Sequence, residues 1–391
     1  MLRRGEHRRS RSLESHAKGA ATVLAVNLHA RPSDVYVADP ATGPVHAVVR
    51  PPGSKSATNR ALILASLARG GVSRLWGSLE ADDTVVMRQC LRALGIMIDD
   101  VDDPWLVLGS AGKLDVPGGT LDVGASGTTA RFITAVAALV PGPVQIDGTE
   151  RMRERPIADL TTALAQLGAD VETTGGTPPV HISGGDLRGG HVRIDGSRSS
   201  QFVSALLMIA PMMEGPVTIE VTGGLVSHRY VDTTIEMMRE FGAEVEAIGD
   251  GYVVAPTGYL KTHIEIEADA SAAAYPLVAA AITGGSTTVE GIPTSSTQPD
   301  LFLLDVLERM GCTVSRAGSR IELSGPVSGL RPVDVDMADA PDASLALAVA
   351  CLFADGPSRI RGLATLRLKE TDRLLALRSE ISRVGGSAQI E

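Results

Sequence analysis

Cysteine is scarce in this chain, with only Cys90, Cys312 and Cys351 in 391 residues. They lie far apart and form no C-x-x-C pair. This excludes a disulfide framework and suits a reducing compartment, taken here as the cytoplasm. The eight histidines form no H-x-x-x-H or H-E-x-x-H pattern, so no metal site is expected. No run of about 18 residues is apolar without Gly, Pro or polar interruption, so no membrane span is expected. A formal net charge of −10 argues against nucleic acid as a partner. What remains is ordinary globular composition, 44% hydrophobic and 21% charged, with material for a large core and a length that favours two domains.

The N-terminus departs from this composition. Arg3, Arg4, Arg8, Arg9, Arg11 and Lys18 face only Glu6 and Glu14. Such a start can be a transit peptide, although it lacks the apolar core of a secretory signal. The plainer expectation is a disordered basic tail over residues 1–32.

Two series of positions recur in phase. Gly95, Gly168, Gly242, Gly311 and Gly385 each follow an amphipathic stretch and precede a short β run, at steps of 73, 74, 69 and 74. A glycine there can take the positive φ of a helix C-terminus. Ser56, Thr128, Ser200, Ser271 and Ser344 each open a segment dominated by Ala, Leu, Ile and Val, at steps of 72, 72, 71 and 73. A helix apolar on nearly all faces should be buried, and Ser or Thr near its start signals an N-terminus. The unit of about 72 residues therefore reads as strand, buried helix, strand, amphipathic helix, β pair. A sixth helix start would fall near position 416, beyond Glu391, which itself falls in the β run expected after the fifth amphipathic helix.

Buried helices with free N-terminal amides favour anions, and these starts carry charges a core does not need. GSKSATNRAL brings Lys55, Ser56 and Arg60 to the first, with Asn59 expected to hydrogen-bond locally. SRSSQF opens the third, and ADAPDAS sets Asp339 and Asp342 ahead of the fifth. RMRERPI and RLKETDRL add Arg151, Arg153, Arg155, Lys369 and Arg373, with Thr371 or Asp372 as a helix cap. Arg131 lies early in the second apolar segment. An acidic protein that gathers cations this way is suited to a small, multiply charged anion. GSKS lacks the Walker spacing, and VGASGTTA is not G-x-G-x-x-G. Any one of these motifs reads as readily as a salt-bridged helix start; their recurrence at one phase of one repeat favours a site.

From about Val48 to Glu391 the sequence resembles the 5-enolpyruvylshikimate-3-phosphate (EPSP) synthase family of enolpyruvyl transferases, through GSKSATNRAL, RMRERPI, SSQF and RLKETDRL. The resemblance implies an α/β (α+β) fold of two lobes, each of three βαβαββ units in pseudo-threefold arrangement, hinged by two crossing strands. The first lobe would span 53–267. The second, 33–52 with 268–391, would lack its sixth unit, which in the family carries an Asp-His-Arg helix start and a later Lys. The implied reaction moves the enolpyruvyl group of phosphoenolpyruvate to the 5-hydroxyl of shikimate 3-phosphate and releases phosphate, in a monomer, with neither metal nor organic cofactor.

By the same resemblance, Lys55, Ser56, Arg60, Ser199, Ser200, Gln201, Ser227, Asp342 and Lys369 would hold shikimate 3-phosphate. Lys55, Gly127, Arg155, Gln201 and Arg373 would hold phosphoenolpyruvate. Asp342 would accept the 5-hydroxyl proton, Glu370 would handle the proton at the methylene carbon, and Lys55 would assist both substrates. Ala125 and Thr365 stand where the family often has Asn. Two alternatives stay open: a ligand-binding remnant without turnover, motivated by the missing unit, and a sibling transferase acting on UDP-N-acetylglucosamine. The opening GSKS and the helical setting of Cys90 disfavour the sibling.

Overall fold

The computed structural model describes residues 40–391; the expected basic tail, and residues 33–39 of the expected second lobe, lie outside them. Ten α-helices follow one another among the described residues: α1 Lys55–Leu67, α2 Asp82–Ala93, α3 Gly127–Ala137, α4 Ala158–Gln166, α5 Ser200–Ile209, α6 Arg229–Glu240, α7 Ala270–Thr283, α8 Phe302–Arg309, α9 Ser344–Cys351 and α10 Arg373–Arg383. The apolar helices α1, α3, α5, α7 and α9 begin within one residue of the recurrent Ser/Thr positions. All five recurrent glycines have positive φ, between 84° and 110°. The recurrent hydroxyls sit in the first turn, while the caps lie a residue or two upstream. Ser54, Ser126, Ser199 and Asp269 each accept an N–H bond at the heads of α1, α3, α5 and α7.

Four units build the same four-stranded sheet, with one parallel pair followed by two antiparallel steps. In the third unit, Gly190–Asp195 lies parallel to Val217–Thr222, followed by Gly251–Val254 and Val245–Ile248. The second unit repeats this with Leu121–Asp122, Val144–Asp147, Thr177–Gly185 and Ala169–Thr174. The first and fourth units exchange their leading strand. His263–Glu265 pairs with Val72–Trp76 of the first unit, and His46–Val49 pairs with Ser286–Glu290 of the fourth. The two connections cross where Ser54 N–H donates to Glu267 O (2.8 Å) and Asp269 N–H to Pro52 O (2.8 Å). Gly53 sits at the crossing, and a Cβ there would run into the Gly77 backbone.

The helices explain the burial pattern. α1 through α6 touch in a closed ring, each against the next and α6 against α1. Inside it α1, α3 and α5 are buried on nearly every face, polar residues such as Asn59, Arg60 and Arg131 included. One buried cluster runs from Ala57 to Ile266, and a second from Ala268 to Ala350 with Val49 packed on it. In the second, α7 packs on α9. The fifth unit has only its parallel pair, Asp334–Asp336 with Arg359–Arg361. Residues 384–391, expected to include a β run, form no strand. In the four complete units that run is held by a hairpin partner, and none exists here among the described residues. Val349, Leu352, Phe353 and Leu375 of the fifth unit remain exposed.

Candidate active site

The helix N-termini of α1, α3 and α5 converge on a cleft of about 370 Å³, closed on the far side by the turn before α9 and the segment leading into α10. All thirteen residues expected at a site line it: Lys55, Ser56, Arg60, Gly127, Arg155, Ser199, Ser200, Gln201, Ser227, Asp342, Lys369, Glu370 and Arg373. Arg131 and Arg198 raise the cations in the lining to seven, facing the carboxylates of Asp82, Asp83, Asp342 and Glu370. A protein of net charge −10 thus has a cationic cleft, as binding of polyanions requires.

Three arginines are built in rather than draped over the surface. Arg60 is 2% exposed. Its Nε donates to Thr234 Oγ1 (2.7 Å), Nη1 to Ser56 O (3.0 Å) and Nη2 to Tyr230 O (3.2 Å). Burial pushes it down to about 10, against an opposing effect of Tyr230. Arg131 donates to Gly127 O (2.9 Å) and Pro156 O (3.1 Å); burial and the neighbouring Arg155 push it down to about 9. Both remain cations at neutral pH. Arg155 is buried with one long bond, Nη1 to Ala125 O at 3.3 Å, so its charge is the least committed of the three.

The carboxylates are held ionised. Burial pushes Asp342 upward, but Lys369, Arg373 and Lys55 outweigh it, and the group lies below its ordinary range. Arg373 Nη1 is 2.8 Å and Lys369 Nζ 3.5 Å from Asp342 Oδ1. Glu370 is likewise lowered: burial raises it, while its own backbone N–H, Arg373 and Arg155 prevail. Arg373 bridges the two, with Nη2 2.7 Å from Glu370 Oε1. On the opposite wall Lys55 Nζ lies 3.1 Å from Asp83 Oδ2.

Ser199 caps α5 through the Gln201 N–H (3.2 Å), and Gln201 Nε2 donates to Thr128 Oγ1 (3.1 Å). Ser227 is a non-glycine residue at φ +52°; its hydroxyl donates across the cleft to Ala338 O (3.2 Å). Such a conformation costs free energy and persists where the surroundings fix it. The Thr365 hydroxyl is buried without a partner in the protein while its residue lines the cleft. Asn59, expected to bond locally, has no side-chain partner at all, and nothing in the structure explains it. Asp372, not Thr371, caps α10. Arg151 and Arg153 stay out of the lining: Arg151 reaches Lys369 O (3.1 Å) and Arg153 pairs with Asp147. Asp83, Tyr230 and Arg198 line the cleft without having been singled out. Asp83 opens α2, where an acidic residue in the first turn reads as ordinary helix chemistry; the place of Arg198 inside SRSSQF was the available signal. Among the described residues no cluster of three or more His, Cys, Asp or Glu could hold a metal ion, and no helix is long and apolar enough to cross a membrane.

Fold and cleft together define a class: repeat-built α/β proteins that set fixed cations and carboxylates around one cleft. Comparison with known proteins narrows it. The profile of EPSP synthase (3-phosphoshikimate 1-carboxyvinyltransferase) matches residues 40–391. The 3-phosphoshikimate 1-carboxyvinyltransferase of Pseudomonas syringae pv. syringae is 42% identical over 364 residues, covering 92% of this chain and 82% of that protein. The chloroplastic enzyme of that name from Brassica napus is 40% identical over 370 residues, covering 88% and 71%. The EPSP synthase of Acinetobacter baumannii superposes with a TM-score of 0.73 at 26% identity, covering 88% of this chain and 79% of that one. The chain belongs to the EPSP synthase family.

Proposed function

We propose that this chain transfers the enolpyruvyl group of phosphoenolpyruvate to the 5-hydroxyl of shikimate 3-phosphate and releases phosphate. The observation that carries this reading is the convergence of all thirteen expected residues on one cationic cleft. Arg60, Ser56, Ser199, Ser200, Gln201 and Ser227 would hold shikimate 3-phosphate beside Lys369. Arg155, Gly127 and Arg373 would hold phosphoenolpyruvate, and Lys55 and Gln201 would reach both. Arginine forks suit phosphate and carboxylate. We also propose that 53–267 forms one lobe and 33–52 with 268–391 the other, a division supported by the two buried clusters. The reading takes the protein as a cytoplasmic monomer. The cysteines are free, as a reducing compartment favours, and sedimentation velocity checks the assembly.

The electrostatics fit two proton transfers. The 5-hydroxyl oxygen attacks the central carbon of phosphoenolpyruvate as Asp342 takes its proton and Glu370 protonates the methylene carbon. In the adduct the C–O bond to phosphate then breaks as Glu370 takes a proton back from the methyl carbon, and the proton held by Asp342 leaves with the phosphate. A strongly acidic carboxyl is a poor donor and a weak base. Anionic substrates engaging Arg155, Arg373 and Lys369 share the cations that hold Asp342 and Glu370 ionised. Both carboxyls then titrate higher, toward useful values. The fixed cations stabilise the charge on the adduct. Phosphate release that requires both substrates tests the reading. Asp342→Ala should lower kcat by roughly 10²–10⁴-fold, with Lys55→Ala also impaired; unchanged turnover in both would refute it.

A further inference from the structure

The recurrent hydroxyl position has a different job in the fourth and fifth units. Ser56, Thr128 and Ser200 line the cleft, whereas Ser271 and Ser344 do not. The Ser344 hydroxyl donates to Pro341 O (2.5 Å), bracing the turn that carries Asp342. The Ser271 hydroxyl donates to Asp300 Oδ2. Asp300 is 4% exposed, and its other oxygen, Oδ1, accepts the N–H of Ala343 (3.2 Å), the residue after Asp342. The Tyr230 hydroxyl, from α6, donates to Oδ2 at 3.4 Å. One buried carboxylate therefore ties together the head of α7, the Asp342 turn and a helix of the other buried cluster. A buried carboxylate is expensive unless such donors meet it, and no substrate-facing role absorbs this one, since it does not line the cleft.

We propose that Asp300 is a positioning residue that fixes the Asp342 turn, and with it the reach of the Asp342 carboxylate toward the substrate hydroxyl. This rests on the functional reading above. Without Asp300 the Ala343 N–H loses its acceptor and the turn is free to shift. A misplacement of about 1 Å costs on the order of 10²-fold in rate. The first-lobe cations that bind substrate do not depend on this turn. Asn in place of Asp300 keeps an acceptor for Ala343, and its amide can donate to the hydroxyls of Ser271 and Tyr230, which accept as well as donate.

The test uses the full chain and steady-state phosphate release, with thermal melting to confirm folding. Asp300→Ala should lower kcat about 10- to 100-fold with both KM values within about 3-fold, Asp300→Asn should restore most of kcat, and hydrogen exchange at Ala343 should quicken only in the Ala variant. In an Asp342→Ala background, Asp300→Ala should cost less than about 3-fold more, because both act through one group. Asp300→Ala with normal kcat, full additivity with Asp342→Ala, or Asn no better than Ala would each overturn the inference. If Asp342→Ala itself leaves turnover unchanged, or the wild-type chain releases no phosphate, the functional reading fails instead, and the positioning role of Asp300 with it.

Discussion

Adding one methyl group at Gly127 should weaken phosphoenolpyruvate binding while leaving the fold and the other substrate almost untouched. Gly127 is the first residue of α3, in ordinary helical backbone, so alanine meets no strain and gains up to about 1 kcal/mol of helix propensity. The new Cβ, however, would stand 2.6 Å from Arg131 Nη1 and 2.6 Å from Arg155 Nη1, and closer still to Arg155 Nη2. Both guanidinium groups must give way: Arg131, bonded at both ends, by a small rotation of its terminus, and Arg155, with its single 3.3 Å bond, by more. Restoring van der Waals distance moves Arg155 by about 1 Å. At an effective dielectric of about 20, drawing a unit charge from about 4 to 5 Å from an anion loses roughly 0.8 kcal/mol, and the bidentate geometry suffers too. A total of about 1–2 kcal/mol corresponds to a rise of roughly 5- to 30-fold in KM for phosphoenolpyruvate. Initial rates of phosphate release with each substrate varied in turn would measure it, alongside a melting curve. An unchanged KM for phosphoenolpyruvate, or an equal rise for shikimate 3-phosphate, would refute the reasoning.

Three further outcomes follow from the charges. Arg373→Met removes a cation that holds Asp342 ionised. Asp342 should then titrate higher, and since a base loses activity as pH falls through its pKa, the acid limb of kcat/KM should move to higher pH; an unmoved limb would count against Asp342 as base. Asp300 is raised to about 6, by burial first and then by Asp342, with Ser271 opposing. A raised carboxyl contributes stability that is present below its unfolded pKa and lost as pH climbs through the folded value. Asp300→Asn should therefore gain on the wild type by about 2 kcal/mol between pH 4 and 7, read by urea unfolding at both; a constant difference would contradict this. Arg88→Ala should cost about 3 kcal/mol in the same assay with kcat unchanged, because Arg88 is buried 4.2 Å over the Trp105 ring, bonded to Asp100 and Glu80, and outside the cleft.

Local sequence carried much of the fold. Ser56 and Ser344 mark helix starts because an apolar run follows them, and Gly95 and Gly242 mark helix ends because only glycine takes that φ cheaply. These signals need no distant partner. The exchanged strands do: His46–Val49 and His263–Glu265 look like any β run, and only the resemblance implied two crossings, since a local pattern says that a strand exists and not what it pairs with. The same limit applies at the cleft. Lys55 and Asp342 were legible because charge at the head of an apolar helix is conspicuous. Tyr230 and Asp300 were not, because a tyrosine in an amphipathic helix and an aspartate before a helix are ordinary locally. The β run expected near 384–391 forms no strand because, among the described residues, no hairpin partner pairs with it.

The exchanged strands also set an order of events for a nascent chain. The stretch 53–267 contains every strand of its own sheets, so it can finish folding as soon as Glu265 has emerged. The fourth unit cannot: His46–Val49 must wait for Ser286–Glu290, whose residues pair with it from 240 positions away. At 5–20 residues per second the gap lasts on the order of 10–50 s, through which that strand is an open edge beside a maturing neighbour. Closure between such distant partners is intrinsically slow. His46–Val49, the first strand among the described residues, must therefore stay unpaired and unaggregated until Ser286–Glu290 arrives.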